Sequence, residues 1–199
     1  MTSPAPIIHP LESIVAPLDL SRLFPVAQPL EAELGSGDGS FLSQYAALHS
    51  ECNFIGVERL LGRLRKVERK CQRAGISNVR AIRIEASYFL EWLLPRHATA
   101  ALHVYFPDPW PKRKHRKNRL INERFPQLVQ QVLTPGGAIY LRTDDADYFA
   151  QMRAVFAASG FFRPIEPPRD LVAMLTDFER SFHDEGIPTL QAAYQSDAA

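Results

Sequence analysis

From Leu30 onward the chain alternates short apolar runs with stretches whose apolar positions recur every three to four residues. "LEAEL", "NFIGV", "VRAIRI", "AALHVYF" and "AIYLRT" are short and largely apolar, and they predict five strands. Between them, "GSFLSQYAALHS", "RLLGRLRKVERKCQRAG", "SYFLEWLL" and "NRLINERFPQLVQQVL" have helical spacing, the second closed by Gly75 and the last continuing in spite of Pro126. Such alternation means βαβ units, so the expected fold is α/β, with a mostly parallel twisted sheet covered by helices on both faces. Beyond Gly160 the pattern weakens: "FFRPIE" predicts a strand, "TDFERSFHDEG" a turn and helix, and "TLQAAYQ" a final, antiparallel strand.

The first 29 residues hold six prolines and no sustained periodicity, which predicts an extended arm with one helical turn at most, ahead of a single domain over 30–199. No apolar run approaches the roughly 18 residues of a membrane span, and "MTSPAPIIHP" lacks the charged-then-apolar order of a signal peptide. A cytoplasmic protein is expected. Cys52 and Cys71 read as buried free thiols, and no Cys/His cluster has metal-ligand spacing. The net charge of +1 conceals an asymmetry: residues 1–58 sum to −6, residues 59–124 to +12 and the remainder to −5. A basic centre between acidic ends points to a polyanionic partner met on one surface. In the second helix Leu60, Leu64, Val67, Cys71 and Ala74 share one face. Arg59, Arg63, Lys66, Lys70 and Arg73 share the next, either as a solvated face or as an RNA contact.

Ligands of an open parallel sheet bind beyond the carboxyl ends of its strands. At or just after those ends the chain places Glu33, Glu58, Glu85, Asp108 and Asp144, one per strand from the first to the fifth. A single member could be a helix cap, Asp144 above all, but five in succession describe an acidic rim. Glu33 lies on a first strand expected to be buried on both faces, where an unpaired carboxylate costs several kcal/mol. The next turn, "GSGDGS", has glycines at 35, 37 and 39, which let backbone approach a ligand closely. A dinucleotide pyrophosphate would be repelled by Glu33 and Asp38, and a cationic ligand favoured. S-adenosylmethionine fits, with its ammonium and sulfonium. Glu58 would take the ribose hydroxyls and Glu85 the adenine amine.

The segments "LEAELGSGDGSFL", "FIGVER", "YFPDPWPKRKHRKNRL", "LRTDD" and "TDFERSF" together resemble the bacterial tRNA (guanine-N7)-methyltransferase family, over about Leu30 to Glu185. The resemblance implies a Rossmann-like class I methyltransferase fold and transfer of a methyl group from S-adenosylmethionine to a guanine in the variable loop of tRNA. It makes Glu33, Gly35, Gly37, Glu58 and Glu85 cofactor-binding, and Asp108 both cofactor-proximal and catalytic. It matches Lys112, Asp144, Thr176 and Glu179 to substrate-contacting positions, and Lys114, Arg116, Lys117 and Arg119 to an RNA-interacting segment. Two positions depart from the family pattern. Glu85 stands where Asp is commoner, and Asp177 replaces a lysine, whose RNA contact is then lost or made by Arg180.

Guanine N7 carries an in-plane lone pair and no proton, so no general base is required. Catalysis then consists of holding N7 about 3 Å from the methyl carbon, in line, and of stabilising the cationic product. Asp108 would accept hydrogen bonds from the N1 and N2 edge of the base, with Pro107 and Pro109 stiffening its loop. Trp110 either stacks on the base or anchors its own loop. The competing readings are a class I methyltransferase acting on adenine N6 or a protein amide, a non-catalytic tRNA-binding protein of the same fold, and a nicotinamide oxidoreductase. Glu33, and Ser40 where a final glycine is wanted, disfavour the last. tRNA is the expected partner, and monomer or homodimer the expected state, with no metal and no membrane.

Overall fold

The computed structural model describes residues 6–197; the first five residues of the expected arm and the last two of the expected domain lie outside them. Seven strands form a mixed sheet, three of them in one compact unit that ends at Pro95 and four in a second that begins at Arg96.

In the first unit α1 (Leu20–Leu23) precedes β1 (Leu30–Leu34), α2 (Ser40–Leu48), β2 (Asn53–Val57), α3 (Leu61–Arg73), β3 (Val79–Ile82) and α4 (Ala86–Tyr88). The last passes into a π-helical turn over Phe89–Leu93. The three strands pair in parallel, with Glu33 opposite Gly56 and Phe54 opposite Val79. Every residue of β2 and β3 is buried, as continuous apolar strands of a two-sided sheet require. α3 ends where Gly75 takes φ +65°. Its apolar stripe is narrower than expected: Leu64, Val67 and Cys71 are buried, while Leu60 and Ala74 are the capping residues at either end and lie exposed. Of the two thiols Cys71 is buried and Cys52 only half-buried, and burial pushes both up to about 11.

The proline-rich arm does more than extend. Ile7 is buried, and the backbone around it pairs with β3 through Ala81 N–H to Ile7 O (2.7 Å) and His9 N–H to Ala81 O (2.9 Å). An otherwise open sheet edge is thereby covered. Asp19 caps α1 through the Ser21 N–H at 3.0 Å.

The second unit comprises β4 (Thr99–Tyr105), a 3-10 turn (Arg113–Asn118), α5 (Phe125–Val132), β5 (Leu133–Thr143), α6 (Ala146–Ser159), β6 (Phe162–Ile165), α7 (Arg169–Ala173), α8 (Asp177–Asp184) and β7 (Leu190–Ser196). β4 and β5 are parallel, and β7 runs antiparallel to both β5 and β6. The helix expected from Asn118 begins only at Phe125. Pro126 occupies its first turn, where the missing N–H has no partner to lose, and the preceding residues form the 3-10 turn and bends. α7 is an element the periodicity does not predict. Phe156 of α6 stacks on Tyr194 of β7 at 4.4 Å and meets Phe125 edge-on at 6.3 Å, at the centre of this unit's core.

Candidate functional site

The first unit brings together the loop and acids expected to hold a cofactor. Glu33 closes β1 and is only 4% exposed, so its carboxylate lies within the strand ends rather than in solvent. The loop that follows is tied to β2 by the Gly35 and Ser36 N–H groups, both donating to Val57 O at 2.8 and 2.9 Å. Gly35 (φ +83°) and Gly37 (φ +54°) adopt backbone that side chains avoid. A Cβ at Gly35 would meet nothing within 4 Å, and one at Gly37 only Gly35 O at 4.0 Å. These two glycines leave an open face of backbone for a ligand. Gly39 serves packing instead. A Cβ there would stand 2.9 Å from Val67 Cγ2, so its absence permits α2 to pack on α3.

Asp38, inside the loop, does not present a bare charge to a ligand. One oxygen takes Lys70 Nζ at 2.9 Å and the other the Ser40 N–H at 3.2 Å. Burial pushes its carboxyl up, and these contacts more than offset that, holding it below the usual range. Glu58 follows β2, is 8% exposed, and accepts the Leu60 N–H at 2.9 Å, with Arg63 Nη1 3.6 Å from its other oxygen. Glu85 is a helix cap: its carboxylate takes the Ser87 N–H (3.1 Å), the Ser87 hydroxyl (2.5 Å) and the Tyr88 N–H (2.9 Å). Partial desolvation pushes this carboxyl up. The three donors and the nearby Arg59 outweigh it and leave the group ionised below the usual range. The expected contact to an adenine amine thus has to share a carboxylate already committed to starting α4.

In the second unit the strand-end acid Asp108 stands exposed on a loop held from both sides. Phe106 (φ +51°) and Trp110 (φ +44°) bracket Pro107-Asp108-Pro109 in left-handed backbone, a strain of about 1–3 kcal/mol for each such residue. Surrounding contacts have to hold this shape. On one side the Phe106 N–H donates to Arg142 O at 2.8 Å. On the other, the Arg119 guanidinium donates through Nε to Pro109 O, through Nη1 to Gln151 Oε1 and through Nη2 to Asp147 Oδ2, each at 2.7 Å, and its Cζ lies 4.6 Å over the Tyr148 ring. Trp110 meets the His115 ring edge-on at 5.9 Å, a contact within its own loop.

Arg119 thus has its guanidinium turned inward, toward its own fold. It is 2% exposed, with all three guanidinium nitrogens engaged, while Lys112, Arg113, Lys114, Arg116 and Lys117 are exposed. Of these, Arg116 shares Asp147 with Arg119, at 3.1 Å. Arg119→Met, which keeps the stem and removes the donors, is expected to lower the turnover of any reaction at Asp108 by about tenfold to a hundredfold. Nucleic-acid affinity and its salt dependence should stay at wild-type values; a loss confined to affinity would return Arg119 to the binding surface.

Asp144 is half-buried, and the cap of α6 is its neighbour Asp145, which accepts the Tyr148 N–H at 2.7 Å. Among the described residues no hydrogen bond engages the Asp144 side chain, which leaves it available to a ligand. Thr176 and Glu179 are engaged within the fold. They form a capping box at the start of α8: Thr176 Oγ1 accepts the Glu179 N–H at 3.1 Å, and Glu179 Oε2 the Thr176 N–H at 2.8 Å. Glu179, 2% exposed, also pairs with Arg142 Nη1 at 2.9 Å. The box positions Phe178 and Phe182 against Phe106, at 6.5 and 5.6 Å between ring centres, so α8 buttresses the residue that enters the Asp108 loop. Arg180 lies 2.5 Å from Asp177, so the acid that replaces the family lysine occupies the cation that would stand in for it.

Two supports of these loops lie outside what the sequence alone assigns: Arg142, which it does not single out, and Arg119, which it groups with the RNA-contacting cations. A charge near the end of an apolar strand ("YLRT") was a signal for the first, and a cation running into "LI" for the second. Among the described residues no group of His, Cys, Asp and Glu could hold a metal ion, and no helix is long and apolar enough to cross a membrane.

Comparison with known proteins agrees with this geometry. Residues 27–192 match the family described as "Putative methyltransferase". The tRNA (guanine-N(7)-)-methyltransferase of Syntrophotalea carbinolica is 39% identical over 69% of this chain and 59% of its own length. That of Sodalis glossinidius is 38% identical over 82% and 71%. The solved structure of the 16S rRNA methyltransferase KamB, 15% identical with a TM-score of 0.63 over 89% of this chain and 92% of its own, has the same fold. The glycine loop beside buried acids, the braced FPDPW loop and this extent of similarity lead to one assignment: the chain belongs to the tRNA (guanine-N(7)-)-methyltransferase family.

Proposed function

We propose that this protein methylates N7 of a guanine in the variable loop of tRNA. The observation that carries the proposal is the Asp108 loop: an exposed carboxylate on strained backbone, fixed by Arg119 on one side and β5 on the other. A site for acid–base chemistry would need a group that gains and loses a proton; N7 needs only position and charge.

Class I methyltransferases use S-adenosylmethionine, whose sulfonium supplies an electrophilic methyl group. Glu33, the open backbone of Gly35 and Gly37, and Glu58 fit a ligand that carries an ammonium and ribose hydroxyls, with Glu85 beside them. Asp108 accepts from the N1 and N2 edge of guanine and so orients the N7 lone pair. The donor, when bound, would supply both the methyl group and the sulfur that keeps the electron pair of the broken C–S bond, and the Asp108 carboxylate would oppose the positive charge left on the base. Lys112 and Asp144 contact the substrate, and Lys114, Arg116 and Lys117 bind its phosphates. Thr176 and Glu179 contribute through the placement of α8. The reaction belongs to the cytoplasm, where tRNA is processed, and is carried out by a monomer or homodimer.

Incubation of tRNA with the protein and methyl donor, followed by borohydride reduction and aniline scission, should cut the tRNA at a single guanine in the variable loop. Intact tRNA after that treatment would refute the assignment.

A further inference from the structure

The cations of α3 fall into two groups that the sequence did not separate. Arg63 and Lys70 turn toward acids, 3.6 Å from Glu58 and 2.9 Å from Asp38. Arg65, Arg69 and Arg73, spaced i, i+4, i+8, are exposed on another line of the same helix. Among the described residues none of the three has an ion pair or a side-chain hydrogen bond. Between Leu60 and Ile84 the sequence offers only one acid, Glu68.

That arrangement is unfavourable for an isolated helix. Like charges at i, i+4 repel, and the first turn of α3 has no acidic residue to complement its dipole. A face that served solubility alone would mix signs. The ridge is also rigid, because Leu64, Val67 and Cys71 on the opposite face are at 0% exposure. Three guanidinium groups therefore stand in a row about 12 Å long. An evenly spaced polyanion fits such a row, and guanidinium is the side chain best matched to phosphate. A lipid surface fits poorly, since the apolar face such a helix would insert is already buried in the core.

We propose that Arg65, Arg69 and Arg73 form a second RNA-docking ridge, separate from the Lys112–Lys117 run, that holds the sugar–phosphate backbone of tRNA without reading its sequence. The proposal rests on the tRNA reading above. Its test compares the wild-type chain with the triple variants Arg65→Gln/Arg69→Gln/Arg73→Gln and Arg65→Lys/Arg69→Lys/Arg73→Lys. tRNA affinity is measured across a salt series, alongside donor affinity and turnover at saturating tRNA.

The glutamine variant should bind tRNA at least about tenfold more weakly at low salt, with a slope of log affinity against log salt shallower by roughly 2 to 3. Donor affinity and saturated turnover should be unchanged, and the lysine variant should keep most of the affinity. Wild-type affinity and slope in the glutamine variant would overturn the ridge while leaving the assigned reaction intact. So would loss of binding to phosphatidylserine vesicles with tRNA binding unaltered. Absence of tRNA binding or of N7 methylation by the wild type would instead remove the underlying reading, and the ridge with it.

Discussion

Glu179→Ala is expected to lower the thermal unfolding midpoint by roughly 6–20 °C. Arg142 and Glu179 have side chains only 4% and 2% exposed, and the guanidinium also donates to the carbonyls of Met174 (2.8 Å) and Leu171, with Cζ 4.5 Å over the Tyr105 ring. Removing the carboxylate leaves a buried cation short of its counter-charge, which costs about 3–5 kcal/mol. At this chain length each kcal/mol moves the midpoint by about 2–4 °C. The Thr176 N–H loses its acceptor as well, so α8 should fray at its start. Glu179→Gln, which keeps an acceptor but not the charge, should fall between. Arg142→Met/Glu179→Leu should recover most of the loss, because neither charge is then stranded. Calorimetric melting of these variants measures the order; a shift below about 2 °C for Glu179→Ala would mean that the ion pair contributes no net stability.

Asp108→Ala is expected to reduce the methylation rate by about 10²–10³ at saturating donor and tRNA, the effect of removing one preorganised group aimed at developing charge. Folding stability should change by less than about 0.5 kcal/mol, because the side chain is exposed and the loop is held by its backbone and by Arg119 rather than by the carboxylate. Asp108→Asn should lose less than alanine if orientation of the base dominates, and as much if opposition to its charge dominates. Single-turnover rates separate the two. Since N7 carries no proton at neutral pH, the wild-type rate should also be level between about pH 6 and 9. A steep rise through that range would point to a general base and to a different atom of the base as acceptor.

Several elements of the site could be read from the chain. Glu33 stands in the last two residues of β1, and Glu58, Glu85, Asp108 and Asp144 follow the next four strands, because strand ends follow from apolar runs and the position of an acid follows from counting. The glycine loop was equally legible, since positive φ at Gly35 and Gly37 is a demand on backbone that the residue type itself announces. Two further signals lie in the open. "TDFE" is a Thr-x-x-Glu capping box, and Pro126 marks a helix start rather than a helix interior.

The occupancy of each charged group was not legible. Arg119 and Lys117 belong to one basic run, yet one is buried against Asp147, Gln151 and Tyr148 and the other is exposed. The partners that make the difference are about thirty residues away. Asp38 is neutralised by Lys70 from α3, and Glu179 by Arg142 from β5. The amino-acid sequence by itself determined the order of strands and helices, the acids at the strand ends and the basic character of the central segment, all of which depend on local periodicity and residue chemistry. Tertiary structure alone decided which acids are already engaged, which cations remain exposed and which arginine braces the Asp108 loop. Ion pairing and burial are set by neighbours in space, and the free energy of a charge depends on them rather than on the residues beside it in the chain.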